Sequence, residues 1–87
     1  MAWIGIRRED KNRWERRAPL TPDHVAGLVS DGVGIFVQPS PIRVFPDEAY
    51  EQAGARLSED LSDAPVIFGV KEMPEEVFEP GKTYVFF

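Results

Sequence analysis

Apolar residues fall along this chain in short dense runs, each followed by a polar stretch rich in turn residues. Trp3-Ile4-Gly5-Ile6 is the first run and ends in two arginines, which predicts a strand buried on both faces. Residues 9–20 are charged and carry no apolar period, so they are predicted to form a loop. Thr21-Pro22-Asp23 is a helix start, with Thr as N-cap, Pro at the first helical position and an acid in the first turn. Val25, Leu28 and Val29 continue that helix with an i, i+3, i+4 stripe, and Asp31-Gly32 stops it. Gly34–Gln38 is predicted as the second strand, 46–53 as a second helix with Gly54 as its stop, and 55–57 as a short extended piece. A capped helical turn is predicted at 58–61, a long strand over 64–70, a turn of helix at 74–78 and a last strand from Thr83.

Strands alternating with helices predict an α/β domain. The expected form is a three-layer, Rossmann-like (flavodoxin-like) and mostly parallel sheet with flanking helices. Residues 1–87 are one domain at most, and the apolar last residues suggest an incomplete one cut from a longer protein. In such a sheet, ligands bind at the carboxyl ends of the strands. Three loops are then predicted to share that edge: 7–20, 39–45 and 71–74.

Charge narrows the ligand. The net charge of −5 is uneven: residues 1–20 carry Arg7, Arg8, Lys11, Arg13, Arg16 and Arg17 against Glu9, Asp10 and Glu15. The remainder is strongly acidic, which argues against nucleic acid as a partner and leaves room for a local small-anion pocket. With no cysteine, disulfides and thiolate chemistry are excluded. No apolar run reaches the ~20 residues of a membrane span, and the start does not read as a signal peptide. A cytoplasmic protein is expected, with an organelle matrix as the eukaryotic alternative.

Candidate chemistry concentrates in two stretches, Glu15–Pro22 and Gly69–Pro74. Arg17 suits a carboxylate because its planar fork donates two parallel hydrogen bonds. Lys71 suits acid/base work, once burial and a positive neighbour bring its pKa toward neutrality. Glu72 would tune that lysine or pair with one of the arginines, and Arg16 and Trp14 would border the substrate. The plainer reading of each is a surface arginine, a strand-end lysine and an aromatic packed over a loop. His24 reads as a first-turn residue, and Tyr50 and Phe36 as core. Gly32-Val33-Gly34 lacks the third glycine of a dinucleotide fingerprint and precedes a strand, and no metal-ligand spacing occurs.

Ile4-Gly5-Ile6-Arg7-Arg8-Glu9-Asp10, then Trp14-Glu15-Arg16-Arg17-Ala18-Pro19-Leu20-Thr21-Pro22, resemble the N-terminal domain of the alanine dehydrogenase, transhydrogenase and saccharopine dehydrogenase superfamily. Val37-Gln38-Pro39-Ser40, Phe45–Tyr50, Ala53-Gly54-Ala55, Gly69–Pro74 and Lys82–Phe87 continue the resemblance in order over nearly the whole chain. The paired arginines and Lys71-Glu72-Met73-Pro74 are most similar to the lysine-degrading branch, which holds lysine–2-oxoglutarate reductase and saccharopine dehydrogenase.

The resemblance implies the substrate half of an NAD- or NADP-dependent oxidoreductase. Arg17 would bind a substrate carboxylate, Lys71 would handle the proton at nitrogen, and Glu72 would tune the site. The family's catalytic histidine follows the last strand and lies beyond Phe87, so this chain is expected not to turn over alone. It would bind no cofactor by itself; the cofactor and a Rossmann domain would come from the rest of the enzyme or a partner chain. Expected partners are an amino acid or 2-oxo acid and, through the open last strand, a second copy of the chain. A stand-alone carboxylate-binding module and an alanine dehydrogenase or transhydrogenase-like domain are the alternatives.

Overall fold

The computed structural model describes residues 2–10, 13–71 and 78–86. Five strands, β1 (Trp3–Ile6), β2 (Gly34–Val37), β3 (Arg56–Leu57), β4 (Val66–Gly69) and β5 (Thr83–Phe86), form one sheet in the order β3-β2-β1-β4-β5. Every pairing is parallel, with Ile4 beside Ile35 and Val66, and Ile6 beside Val37 and Phe68. The chain therefore steps outward from β1 to β3, crosses back, and resumes at β4 on the other side of β1. That reversal opens a crevice between the carboxyl ends of β1 and β4, where α/β sheets take their ligands. The α/β, Rossmann-like expectation matches, with a sheet that is wholly parallel.

Among the described residues, the helices α1 (Pro22–Ser30) and α2 (Asp47–Gln52) cover one face. Val25 and Tyr50 bring their apolar faces onto Ile6, Ile35, Val37 and Ala55, all buried. Thr21 caps α1 as predicted: its hydroxyl accepts from the His24 amide (3.2 Å), and His24 Nδ1 accepts from the Thr21 amide (3.3 Å). On the other face a smaller core forms where Leu61 and Ala64 meet Ile67, Phe36 and Tyr84. Phe36 is therefore only partly buried and stacks on Trp3 (ring centroids 4.4 Å apart). Gly34 permits this, because a Cβ there would lie 2.3 Å from the indole.

Three expectations need correction. The helical turn at 58–61 does not form: the Ser58 hydroxyl accepts from the Asp60 amide and donates to the Asp60 carbonyl, and the Asp60 carboxylate accepts from the Ser62 amide. These side chains satisfy the backbone locally and compete with a helix. The strand at 64–70 shortens to 66–69, since Pro65 has no amide and Ala64 turns back onto the Leu61 carbonyl (3.0 Å). Burial of β1 on both faces is only partial, because Trp3 and Ile4 keep some exposure. The turn expected at 74–78 lies mostly outside the described residues. Among the described residues, no helix is long and apolar enough to cross a membrane.

Candidate functional site

The last rung between β1 and β4 is Arg7 N–H to the Phe68 carbonyl (3.0 Å). Beyond it the strands part, and the loop 7–20 folds over the gap. Contacts to the chain after β2 and to α2 hold its described residues in place. The Arg8 amide donates to Gln38 Oε1 (3.0 Å), and the Val44 amide to the Arg16 carbonyl (2.8 Å). The buried Tyr50 hydroxyl donates to the Leu20 carbonyl (2.8 Å). The loops after β1 and β2 are thus joined at the edge that carries Lys71.

Arg17 and Lys71, 54 residues apart in sequence, converge on one carboxylate. Glu15 is buried, with 7% exposure. It accepts from Arg17 Nε (2.9 Å) and Nη2 (2.6 Å), and Lys71 Nζ stands 3.8 Å from the same oxygen that Nη2 contacts. The Arg17 fork, more than the Lys71 ammonium, holds the Glu15 carboxyl down at about 2, and Glu15 in turn raises the Arg17 pKa. A cleft of about 340 Å³ opens beside this cluster, lined by Arg17, Ala18, Pro19, Val44, Phe45 and Val70. Its floor is apolar and its charged group is the Arg17 guanidinium, a suitable pairing for a small carboxylate with a short carbon chain. A second cleft, about 320 Å³, lies across the other face between Ile67, Leu61 and Lys82, away from Lys71.

The other candidates fall differently. The Arg16 side chain is exposed, and its role here is its carbonyl. Trp14 is 73% exposed, lies outside the lining of the 340 Å³ cleft and carries the Arg13 guanidinium 4.7 Å above its ring. His24 serves the α1 cap. Glu72 lies outside the described residues; within them, the acid paired with the Lys71 ammonium is Glu15.

Sequence reasoning missed three residues. Glu15 and Glu9 lie in a charged loop where nothing local marks them for burial or for partners some sixty residues away. Arg43 is buried among loop residues with its side chain 4% exposed, and its nearest acid, Asp47 Oδ1, is 3.6 Å from Nη1. Among the described residues, neither Nη1 nor Nη2 has a hydrogen-bond partner, and burial lowers its pKa. Spacing offered a weak signal, since Arg43 and Asp47 are four apart.

Acid should test the Glu15 pairing. A carboxyl whose pKa falls from 4.5 to about 2 on folding contributes stability that is fully present above pH 4.5 and lost as the pH falls to about 2. The urea midpoint of Glu15→Gln is expected to fall less than that of the native chain over that interval. Parallel curves would remove Glu15 from the acid response.

Residues 5–87 match the family described as alanine dehydrogenase/PNT, N-terminal domain. The chain is 51% identical over 86 residues to the mitochondrial alpha-aminoadipic semialdehyde synthase of Bos taurus, covering 99% of this chain and 9% of that protein. It is 43% identical over 90 residues to the alpha-aminoadipic semialdehyde synthase of Arabidopsis thaliana, covering 97% of this chain and 8% of the plant protein. It is also 39% identical over 85 residues to the saccharopine dehydrogenase [NAD(+), L-lysine-forming] of Neurospora crassa, covering 92% of this chain and 23% of that enzyme. The chain thus spans under a tenth of the first two proteins and under a quarter of the third.

Proposed function

Because this chain belongs to the family of alanine dehydrogenase/PNT N-terminal domains, we propose that it forms the substrate side of an NAD(P)-dependent amino-acid oxidoreductase of the lysine–2-oxoglutarate reductase or saccharopine dehydrogenase type. The observation that carries this reading is the convergence of Arg17 and Lys71 on Glu15 at the switch-point crevice. Relatives named for saccharopine dehydrogenation support the substrate class.

Glu15 occupies the Nε–Nη2 side of the guanidinium, and Arg17 is otherwise exposed, with 66% of its side chain accessible. A substrate carboxylate docks on the remaining Nη edge with its carbon chain on Pro19 and Val70. The nitrogen-bearing carbon then lies toward Lys71. Interconversion of an amine and an imine needs a proton taken from or returned to that nitrogen, and Lys71 Nζ is the group that handles it. Glu15 accepts part of the ammonium charge and keeps Nζ directed into the crevice.

The two glycines nearest to a dinucleotide fingerprint serve other ends. Gly32, at φ +92°, ends α1, and Gly34 lies beneath Trp3, so neither belongs to a phosphate-binding turn. The nucleotide is assigned to the remainder of a longer protein or to a partner chain, and this chain alone is inactive.

Calorimetric titration with saccharopine, lysine, 2-oxoglutarate and alanine, with NADH and NADPH as controls, tests this reading. Binding of saccharopine or 2-oxoglutarate, with neither nucleotide bound, is the expected result. Nucleotide binding, or silence toward every carboxylate, would overturn it.

A further inference from the structure

Glu9 makes a contact that the proposed chemistry does not itself require. Its two carboxylate oxygens accept separately from two successive amides, Val70 N–H (2.9 Å) and Lys71 N–H (2.8 Å), across 61 and 62 residues of sequence. These amides follow directly on β4, past the point where β1 can still pair with it. Without Glu9 they would point into the crevice unpaired, and Val70 is buried. A buried amide without an acceptor is costly, so this carboxylate replaces the missing rungs of the ladder.

The same loop that supplies Glu9 to the Lys71 backbone supplies Glu15 to its ammonium. Lysine has four rotatable side-chain bonds, and an ion pair at its tip alone leaves the root free to move. Fixing the main chain at one end and Nζ at the other restricts the side chain to a narrow set of rotamers. We propose that Glu9 is a positioning residue that, with Glu15, forms a two-point clamp on Lys71 and sets where its ammonium stands in the crevice. The inference takes from the proposed function only the premise that the position of Lys71 matters. The clamp itself is independent of substrate.

Amide hydrogen exchange and side-chain NMR on the whole chain test it. Glu9→Gln keeps the size of the side chain but replaces one acceptor oxygen with a donor, so one of the two amides loses its partner. At Val70 or Lys71, exchange is expected to accelerate about tenfold or more, the equivalent of ~1.4 kcal/mol. Glu9→Ala should accelerate both. Asp10→Asn, altering a neighbouring carboxylate that pairs with Arg7, should change neither.

A purely structural cap would stop there. The clamp further requires that the Lys71 side-chain resonances shift in Glu9→Gln and lose their dispersion, while those of Lys82, held on the Leu61 carbonyl, stay in place. Unchanged exchange at both amides would overturn the clamp. So would faster exchange with unmoved Lys71 side-chain signals. If Glu9→Ala fails to fold, the isosteric Glu9→Gln still decides. Because neither readout needs a ligand, failure of carboxylate binding would sink the functional reading and leave this one standing.

Discussion

Replacing Arg43 with methionine is expected to raise the stability of the chain: a whole buried ion pair replaced by apolar side chains gains up to about 4 kcal/mol, and here the acid left behind, Asp47, keeps contact with water. The expectation rests on how poorly this guanidinium is compensated. Nη1 and Nη2 are buried without a hydrogen bond, and the Asp47 carboxylate is 3.6 Å away and partly committed to the Ser40 amide (3.1 Å). The Tyr50 ring, 5.3 Å from the guanidinium carbon, gives a cation–π contact. Such a contact contributes about 0.5–2 kcal/mol, less than the several kcal/mol lost on desolvation. Methionine fills a similar volume with no polar atom and can still lie against Tyr50. Asp47 keeps the Ser40 amide and some access to water, and Glu9, the other carboxylate that acts on this guanidinium, keeps the Val70 and Lys71 amides. At about 4–8 °C per kcal/mol for a domain of this size, the rise in melting temperature is easily resolved by calorimetry. A lower midpoint would mean that the guanidinium has a partner in solution that outweighs its desolvation.

Arg43 also illustrates what the sequence could and could not reveal. Strands could be read because parallel strands need near-continuous apolar runs, and Ile4–Ile6, Ile35–Val37 and Val66–Phe68 supply them. α1 was legible because its stop and start signals are local, in Thr21, Pro22 and Gly32. The shared edge of Arg17 and Lys71 followed from topology alone, since parallel strands send all their carboxyl ends one way. The carboxylates between them were not legible. Whether Glu15 turns inward onto Arg17 or outward to water depends on how the loop 7–20 is tied to Val44 and Tyr50. Those ties bridge about thirty residues and exist only after the sheet has formed. Glu9 depends in the same way on the parting of β1 from β4. A local signal misled at 58–61, where Ser58 and Asp60 carry helix-cap chemistry but bond within their own turn.

Arg17→Ala is expected to weaken carboxylate binding by about 3- to 15-fold, the effect of losing a charge-assisted hydrogen bond that solvent screens. Only the edge left open by Glu15 is lost to the ligand, and that edge is exposed, which keeps the effect within this range. Arg17→Lys should recover the smaller part of the loss, because an ammonium cannot fork two carboxylates at once. The binding should also weaken with added salt, since an exposed guanidinium is screened over a Debye length of ~10 Å at 0.1 M. The alanine variant has a second effect that must be separated from the first. It leaves the buried Glu15 with Lys71 as its remaining cation, at 3.8 Å, so the carboxyl loses the partner chiefly responsible for its low pKa. Its urea midpoint near neutral pH should therefore fall. Glu15→Gln combined with Arg17→Ala removes that stranded charge and should restore part of the midpoint without restoring affinity. Equal affinity in native chain and Arg17→Ala, with the fold intact, would remove Arg17 from the site and leave the carboxylate to some other group on the sheet edge.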